Sequence, residues 1–382
     1  MSREGWNKYK LEDFIDIKHG YAFKGEYFSD QPTDEILLTP GNFKIGGGFK
    51  ADKFKYYKGD YPQDYILKAD DIVVTMTDLS KEGDTLGYPA IIPHDDRKNF
   101  LHNQRIGLLH FKNNDLARKF VYWVLRTKAY QTFIVNSATG STVKHTAPTR
   151  IKEYEFEAPP LSIQARIADI LSALDERIEV NRQTNATLEA IAQAIFREWF
   201  VDFNFPGATG EMVESELGMI PRGWEVKPLP EAIEVNPPRA LRKGEIAPYL
   251  DMANMPTQGH RGVEWIDRPF GSGTRFINGD TLLARITPCL ENGKTAFVDF
   301  LADGQTGWGS TEYIVLHPKA PLPPEYGYYL ARTDDLRNHA IQNMSGTSGR
   351  QRTPTSSLDN FLMVVPKEAV AKQFGVIAAS II

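Results

Sequence analysis

The sequence contains a long internal duplication, which constrains the fold more than any other feature. Three landmarks recur in the same order, roughly two hundred residues apart. They are residues 5–11 (GWNKYKL) and 223–229 (GWEVKPL), residues 69–74 (ADDIVV) and 278–283 (NGDTLL), and a Thr-Gly-Ser triplet at 139–141 that returns as Ser-Gly-Thr at 345–347. Solenoid and propeller repeats recur every few tens of residues, so the repeated element here is a whole domain. Two copies predict two similar sites related by pseudo-twofold symmetry.

Composition is that of an ordinary globular protein, with 382 residues, 41% of them apolar and 24% charged. No apolar run is long enough for a membrane-spanning helix, and residues 1–5 do not resemble a signal peptide. The single Cys289 excludes an internal disulfide, so we expect a structural cysteine in a reducing cytoplasm. A net charge of −5 still allows DNA binding through one basic face.

Four segments are predicted along the chain, with Pro159-Pro160 and Pro206-Gly207 near their boundaries. The segments are an α/β (α+β) domain at 1–160, a spacer helix at 161–205, a second such domain at 206–365 and the start of another helix at 366–382. Strands are predicted at 71–77, 106–111, 281–287 and 312–316, and helical stretches at 116–130 and 326–343. The tandem copies are expected to be joined by long coiled-coil helices.

The spacer helix is the clearest local signal, because residues 163–203 contain neither Pro nor Gly. Apolar and Asn residues alternate spacings of four and three, which is the pattern of a coiled-coil seam. The seam comprises Ile167, Leu171, Leu174, Ile178, Asn181, Asn185, Leu188, Ala192, Ile195 and Trp199. Such a helix would span about 60 Å and bridge two domains. An ordinary amphipathic core helix is the alternative.

Residues 366–382 repeat the beginning of this helix and end after about four turns. They would cover only part of the central seam as an antiparallel partner. Either the second helix is shortened, or the partner comes from another chain. Self-association through the seam around Ile178 and Leu188 is one form of the second alternative.

The block 179–203 (EVNRQTN, LEAIAQAIF and WFVDF), with the duplicated landmarks, resembles the DNA-specificity subunit of type I restriction–modification systems. Residues 217–224 (LGMIPRGW) and 140–142 (GST) support the resemblance, which extends over the whole chain. It implies two target-recognition domains that each read half of a split DNA sequence, and coiled-coil helices that set their spacing. It also implies docking of two modification (methyltransferase) subunits and of restriction (translocase) subunits. Those partners would bind S-adenosylmethionine, ATP and Mg, and no cofactor is expected in this chain.

One motif suggests catalysis. Residues 236–239 (NPPR) resemble the Asn-Pro-Pro-aromatic loop that holds a flipped adenine in amino-methyltransferases, but Arg239 replaces the aromatic ring. The sequence has no Gly-rich turn after a strand, no phosphate-binding loop and no metal-ligand spacing of histidines. We therefore predict no catalytic or metal site. An adenine-specific DNA methyltransferase and an assembly scaffold without sequence recognition are the alternatives.

Three loop regions of the duplicated domain are predicted to contact DNA. Lysines interleaved with aromatic residues at 44–57 would neutralise phosphates, although a solvated hairpin explains them equally well. Polar residues after the strand at 71–77, and after its copy, are suited to base edges. The Thr-Gly-Ser loops would approach phosphates or bases, with a domain-packing loop as the alternative. The predicted residues are Lys44, Lys50, Lys53, Lys55, Thr77, Ser80, Lys81, Ser141, Lys144, His145, Arg150, Arg285, Thr287, Asn292, Lys294, Thr347, Arg350, Gln351 and Arg352.

Overall fold

The duplication appears in the structure as two units with matching sheet topology. The computed structural model describes residues 5–80, 82–347 and 349–382. The chain divides into Met1–Ile178, here called unit 1, and Glu179–Ile382, here called unit 2. The long helix Leu161–Phe200 contributes its first part to unit 1 and its second part to unit 2.

Unit 1 is a mixed α/β domain. Its strands are β1 (Asn7–Lys10), β2 (Ile15–His19), β3 (Phe28–Ser29), β4 (Glu35–Leu37), β5 (Lys55–Tyr57), β6 (Ile66–Leu67), β7 (Ile72–Thr75), β8 (Thr77–Asp78), β9 (Pro89–Ile91), β10 (Asn99–Leu101), β11 (Ile106–Phe111), β12 (Lys144–His145) and β13 (Glu155–Ala158). Its helices are α1 (Arg118–Val124), α2 (Lys128–Asn136), α3 (Pro148–Lys152) and the first part of α4 (Leu161–Phe200).

Unit 2 follows the same plan after the second part of α4. Its strands are β14 (Met212–Ser215), β15 (Gly218–Pro221), β16 (Glu225–Pro228), β17 (Ile233–Val235), β18 (Ile246–Leu250), β19 (Ile266–Pro269), β20 (Thr274–Phe276), β21 (Thr281–Ala284), β22 (Thr295–Phe297), β23 (Gly307–Gly309), β24 (Tyr313–Pro318) and β25 (Leu362–Val365). Its further helices are α5 (Leu229–Ala232), α6 (Pro324–Ala331), α7 (Asp334–Gln342) and α8 (Glu368–Ala379).

The strand order is equivalent in the two units, except that the second sheet of unit 1 has an additional edge strand, β3. A four-stranded sheet has the order β2-β11-β7-β9 in unit 1 and β17-β24-β21-β22 in unit 2. A second sheet has the order β3-β5-β4-β10-β6 in unit 1 and β19-β18-β23-β20 in unit 2, and its central pairs, β4 with β10 and β18 with β23, are parallel. The Gly-Trp landmarks lead into β1 and β16, which pair with β13 and β25. The fold is therefore two tandem mixed α/β domains connected by a long helix.

The four-stranded sheets form the middle layer of their units. This explains why polar and apolar residues do not alternate along their central strands. In β7, Ile72 and Val74 pack against α1–α3, while Val73 faces the second sheet. In β21, Leu283 packs on the helical side and Leu282 on the opposite side. Successive strand residues point to opposite faces, so both faces of each strand are apolar and buried.

The duplicated Asp landmark closes the turn before each central strand. The Asp71 carboxylate accepts a hydrogen bond from the Lys68 amide at 2.8 Å, and the Asp280 carboxylate accepts one from the Ile277 amide at 2.8 Å. A short side chain that accepts from a nearby backbone amide is typical of a tight turn. The repeated sequence therefore has a local structural cause.

The helical stretch predicted in each domain is two helices rather than one. Thr127 separates α1 from α2, and Thr333 separates α6 from α7. Each threonine is an N-cap whose hydroxyl accepts a hydrogen bond from the amide three residues later, Tyr130 or Leu336. Because an N-cap residue has non-helical dihedral angles, it starts a new helix. The prediction of continuous helices at 116–130 and 326–343 was wrong at this point.

Helix α4 is continuous, as the sequence predicted, and its two ends are buried in different ways. In unit 1, Gln164 and Ala168 are buried, and Gln164 accepts a hydrogen bond from the Ala117 amide at the start of α1. In unit 2, Phe196, Trp199 and Phe200 join the main core. Within the described ranges, no helix combines the length and apolar character needed to cross a bilayer.

Phe374 on α8 lies at the centre of an aromatic cluster in unit 2. Its ring centroid is 5.1–6.2 Å from those of Phe196, Trp199, Phe200 and Tyr329. The side chain is fully buried, whereas Val376 on the same helix is 76% exposed. The cluster joins α8 and α6 to the second part of α4.

Phe374→Ala should lower the free energy of unfolding of unit 2 by about 3–5 kcal/mol, because it removes buried surface and leaves a cavity. Val376→Ala is the matched control on the same helix and should change it by less than about 0.5 kcal/mol. Denaturant unfolding followed by tryptophan fluorescence measures both. Equal effects of the two variants would contradict this packing.

Candidate nucleic-acid interface

Two of the predicted regions of unit 1 lie side by side. Strand β8 pairs with β12, so that Thr77 faces His145 and Asp78 faces Lys144. The Thr77 hydroxyl and His145 Nδ1 are 3.2 Å apart. We call this place, where the end of the central strand meets the Thr-Gly-Ser loop, the unit 1 junction. Residues almost seventy positions apart in the sequence are thereby neighbours.

Unit 2 has the same arrangement, here called the unit 2 junction. The Thr287 amide donates to the Gln351 carbonyl at 3.0 Å, and Ile286 forms an antiparallel bridge with Arg352. The Thr353 amide donates to the Arg285 carbonyl at 2.8 Å. The two regions predicted separately from the sequence thus form one surface in each unit.

The loop after β8 is organised by the buried Asp78 carboxylate. It accepts hydrogen bonds from the Ser80 amide at 2.7 Å and from the Thr85 amide and hydroxyl. Burial alone would raise the pKa of Asp78, but these hydrogen bonds outweigh it, and the pKa lies below its ordinary value. The Ser80 hydroxyl in turn accepts from the Gly83 and Asp84 amides at 3.0 and 2.9 Å.

Thr77 and Ser80 were predicted as DNA contacts, yet both side chains already have protein partners. Thr77 is buried, and Ser80 is partly exposed. Ser141, His145 and Arg150 are exposed, and Lys144 is partly exposed. Arg150 forms a 2.8 Å ion pair with Glu153. The exposed part of the unit 1 junction therefore comes mainly from the Thr-Gly-Ser loop.

Gly140 has a structural reason to be glycine in that loop. Its φ is +92°, and a Cβ atom there would lie 2.0 Å from the Val143 carbonyl oxygen. A side chain would therefore need both an unfavourable backbone angle and a displaced loop. The Thr139–His145 bridge closes the same turn.

The unit 2 loop is more heavily paired within the protein. The Thr287 hydroxyl donates to Glu291 at 2.8 Å, and the Lys294 ammonium donates to the Met252 and Ala253 carbonyls. Asn292 is exposed and lines a cavity of about 700 Å³ in unit 2. Lys294 thus holds a neighbouring loop in this structure.

The Thr-Gly-Ser counterpart in unit 2 presents the more exposed cations. Thr347 and Arg350 are exposed, while Gln351 and Arg352 are partly exposed. Arg352 Nε donates to Glu312 Oε1 at 2.7 Å. Arg285 is about one quarter exposed, and its Nε lies 3.9 Å from Glu312 Oε2. Lys81, also predicted as a DNA contact, lies outside the described residues.

The lysine-rich region at 44–57 has an apolar inner side. Phe43 is buried, and Phe49, Phe54 and Tyr56 pack against its cluster. Lys50 pairs with Asp52 at 3.2 Å and Lys55 with Asp30 at 4.0 Å, while Lys53 is exposed. Exposed pairs of this kind contribute little to stability. The lysines remain predicted phosphate contacts, whereas the aromatic residues are core.

Arg126 anchors this region to α4. Its Nε donates to the Gly46 carbonyl at 2.8 Å, and its Nη1 donates to Asp175 Oδ2 at 2.8 Å. A Cβ on Gly47 would lie 2.7 Å from the Arg126 side chain, so this glycine allows the arginine to pass. Arg126 has no role predicted from the sequence.

The predicted seam of α4 is covered only near its ends. Ala192 and Trp199 are buried, and Ile167, Leu171, Leu188 and Ile195 are partly buried. The middle residues Leu174, Ile178, Asn181 and Asn185 are exposed. The exposed stripe of the seam therefore consists of two apolar residues followed by two asparagines.

The Asn-Pro-Pro-Arg segment has structural partners. Asn236 Oδ1 accepts a hydrogen bond from the Val315 amide at 2.8 Å, and the Asn236 amide donates to the Val315 carbonyl at 2.8 Å. Arg239 pairs with the buried Asp280 at 2.8 Å. These contacts give the segment a structural role in unit 2. Among the described residues, no group of three or more His, Cys, Asp or Glu is placed to hold a metal ion.

Asp78→Asn should lower the free energy of unfolding by about 1–3 kcal/mol at pH 7, because an amide cannot accept all the hydrogen bonds that the carboxylate accepts. The folded pKa lies below its ordinary value, so this stabilisation is present above the unfolded pKa of about 3.9 and is lost as the pH falls through the folded pKa.

The free energy of unfolding of the wild type and of Asp78→Asn, measured from pH 3 to pH 7, tests this prediction. Asp84→Asn, at an exposed position of the same loop, is the control and should have little effect. If the difference in unfolding free energy between the wild type and Asp78→Asn does not become smaller in acid, the stabilising role given to the Asp78 carboxylate is wrong.

Comparison with known proteins supports the family resemblance. The family described as "Type I restriction modification DNA specificity domain" matches residues 3–190. The MjaIX specificity subunit of Methanocaldococcus jannaschii is 34% identical over 143 residues, which cover 37% of this chain and 32% of that protein. The HindI specificity subunit of Haemophilus influenzae is 33% identical over 135 residues, covering 32% and 29%.

The EcoBI specificity subunit of Escherichia coli is 24% identical over 194 residues, covering 51% of this chain and 37% of that protein. These matches span about a third of the relatives' own length. The crystal structure of a type I restriction–modification S subunit from M. genitalium has a similar fold, with a TM-score of 0.62, 16% identity and coverage of 100% of this chain and 90% of that one. Residues 3–190 of the chain therefore belong to the type I restriction–modification DNA specificity domain family, and unit 2 repeats the sheet topology of unit 1.

Proposed function

We propose that this chain is the non-catalytic specificity subunit of a type I restriction–modification complex and recognises a bipartite DNA sequence. Each unit would read one half of the sequence, here called a half-site. Unit 1 would read the first half-site and unit 2 the second. The protein would act on double-stranded DNA in the cytoplasm.

The observation that carries this proposal is the repetition of the junction. In both units, the end of the central strand and the Thr-Gly-Ser loop meet through backbone hydrogen bonds. Exposed side chains differ between the two copies, with Ser141 and His145 in one and Thr347 and Arg350 in the other. The same backbone with different polar side chains suits two recognition sites for different bases.

Charge at the junctions supports DNA as the ligand, although the whole chain carries a net charge of −5. Lys144, Arg150, Arg350 and Arg352 lie in or beside the two Thr-Gly-Ser loops. Local positive charge attracts the phosphate backbone irrespective of the net charge. Lys53 and the neighbouring lysines would add contacts to phosphates outside the half-site.

The exposed stripe on α4 is the proposed docking surface for two modification subunits. Leu174 and Ile178 are 57% and 49% exposed, and partner helices of a coiled coil bury such residues. We retain 161–205 as the spacer between recognition domains at 1–160 and 206–365, with 366–382 as the start of a second spacer helix. Restriction (translocase) subunits would join this assembly.

The reaction itself is assigned to the partner subunits. A methyltransferase acting through Asn236 would need its side chain to hold a flipped adenine, whereas the side-chain oxygen is bonded to the Val315 amide. S-adenosylmethionine, ATP and Mg would therefore be bound by the modification and restriction subunits. This chain would supply recognition and docking.

The test is methylome sequencing of cells that carry this chain with its cognate modification subunit. The expected result is methylation of a split motif with two fixed half-sites. Replacing residues 1–160 with the corresponding domain of a relative should change only the first half-site. A change of the entire motif, or methyl transfer by the purified chain alone, would contradict the proposal.

Arg350→Ala should relax base preference at one position of the second half-site, because exposed arginine can pair with guanine. The expected loss of discrimination is about 1–3 kcal/mol, measured by competition binding of the reconstituted complex. Lys372→Ala, an exposed cation of unit 2 on α8, is the control and should leave the preference unchanged. An equal loss on all sequences would make Arg350 a phosphate contact.

A further inference from the structure

The two junctions can be aligned residue by residue through their backbone hydrogen bonds. Thr75 pairs with Ile106 in unit 1, and Ala284 pairs with Tyr313 in unit 2. One residue further on, the Met76 amide donates to the Arg105 carbonyl at 2.9 Å. The Arg285 amide donates to the Glu312 carbonyl at 3.0 Å in the same way. Arg105 and Glu312 therefore occupy the same position, directly before β11 and β24.

A second pair of hydrogen bonds aligns the Thr-Gly-Ser loops. The Thr146 amide donates to the Met76 carbonyl at 3.0 Å, and the Thr353 amide donates to the Arg285 carbonyl at 2.8 Å. The residues before these threonines, His145 and Arg352, are therefore equivalent. Three positions converge in each junction: Met76, Arg105 and His145 in unit 1, and Arg285, Glu312 and Arg352 in unit 2.

In unit 2 the acid lies beside both arginines. Glu312 Oε1 accepts a hydrogen bond from Arg352 Nε at 2.7 Å, and Glu312 Oε2 lies 3.9 Å from Arg285 Nε. The Glu312 side chain is 21% exposed, whereas that of Arg352 is 43% exposed. The carboxylate is therefore mostly covered, and the guanidinium it holds reaches the surface.

The contact through Nε determines which nitrogens of Arg352 can contact DNA. A guanidinium is planar and rigid, so fixing Nε also fixes the direction of its two terminal nitrogens. One terminal nitrogen, Nη1, also lies 3.3 Å from the Arg350 carbonyl. The terminal edge is the part of arginine that pairs with O6 and N7 of guanine. Glu312 thus orients Arg352 while remaining mostly covered itself.

Unit 1 has the opposite charge at the equivalent position. Arg105 is exposed, and within residues 5–80, 82–347 and 349–382 no carboxylate pairs with it. Met76, equivalent to Arg285, is buried, and His145 replaces Arg352. The unit 1 junction therefore has its guanidinium directly before β11, whereas unit 2 has one directly after β21 and one in the loop.

We propose that the position directly before β11 in unit 1, and directly before β24 in unit 2, determines base preference. Arg105 would contact a base of the first half-site directly, and Glu312 would be a positioning residue that acts through Arg352 on the second. This inference rests on the proposed function. It extends that function by identifying two specificity-determining residues, one of which is acidic.

The first test uses Glu312→Ala in the full chain, reconstituted with its modification subunits. We expect about a tenfold or greater loss of discrimination at one position of the second half-site, since one bidentate arginine–guanine pair contributes a factor of that order. The first half-site should be unchanged. Glu312→Gln keeps an acceptor oxygen for Arg352 Nε and should retain most of the discrimination.

A double-mutant cycle separates positioning from a general structural effect. In an Arg352→Ala background, Glu312→Ala should cause no further change in base preference, because the residue acts through Arg352. Asp299→Ala is the matched control, as it removes another Arg–carboxylate pair of unit 2, with Arg261 at 3.1 Å and a similarly covered acid. It should leave both half-sites unchanged.

Arg105→Ala provides the independent test in unit 1, with an expected change at one position of the first half-site only. Thermal unfolding of every variant shows whether the fold is retained. A wild-type complex that methylates no split motif would refute the proposed function. A wild-type split motif that Arg105→Ala and Glu312→Ala both leave unaltered, or additive effects in the double-mutant cycle, would refute this inference alone.

Discussion

The antiparallel pairing of the two central strands in each unit is the contact on which the rest of the structure depends. β7 pairs with β11, and β21 pairs with β24 in the same register. This pairing places the end of one strand beside the start of the other, and the Thr-Gly-Ser loop then completes the same edge. Apolar residues on both faces stabilise the pairing, because each strand is covered by helices on one side and by a second sheet on the other. The junctions are therefore held by buried strands of each unit.

Both units also use an arginine to hold α4, although with different geometry. In unit 1, Arg126 connects Asp175 of the helix to the Gly46 carbonyl. In unit 2, Arg332 lies 3.8 Å from Glu189 of the helix and donates to the Gly259 carbonyl, and the Tyr328 hydroxyl donates to Glu189 at 2.6 Å. The unit 2 pair is covered, with side chains 12% and 11% exposed, so removing one of its partners would leave a poorly solvated charge, whereas Asp175 in unit 1 is 42% exposed. Each contact therefore ties the helix to a loop of its own unit as well as to the core.

The sequence was sufficient to predict the tandem domains, because their landmarks are duplicated. It also predicted the central strands and the continuous helix, because apolar runs and a regular spacing of four and three are local patterns. It was insufficient where a single side chain decides the structure, as at Thr127 and Thr333, whose capping hydrogen bonds divide each predicted helix in two. The candidate site was predicted as separate loops. Their meeting depends on pairing between distant residues, which no local pattern encodes. For the same reason, the burial of Thr77 and the position of Glu312 beside Arg352 could not be foreseen.

The junctions are assembled mainly by hydrogen bonds between main-chain atoms, as between Met76 and Arg105 and between Arg285 and Glu312. Amide and carbonyl groups are common to nearly all amino acids, so the architecture of this edge depends little on which side chains it displays. Exposed positions there can accept new residues at small energetic cost. The protein should therefore tolerate engineering, in which the exposed side chains of one junction are substituted while the backbone and the other unit stay unchanged.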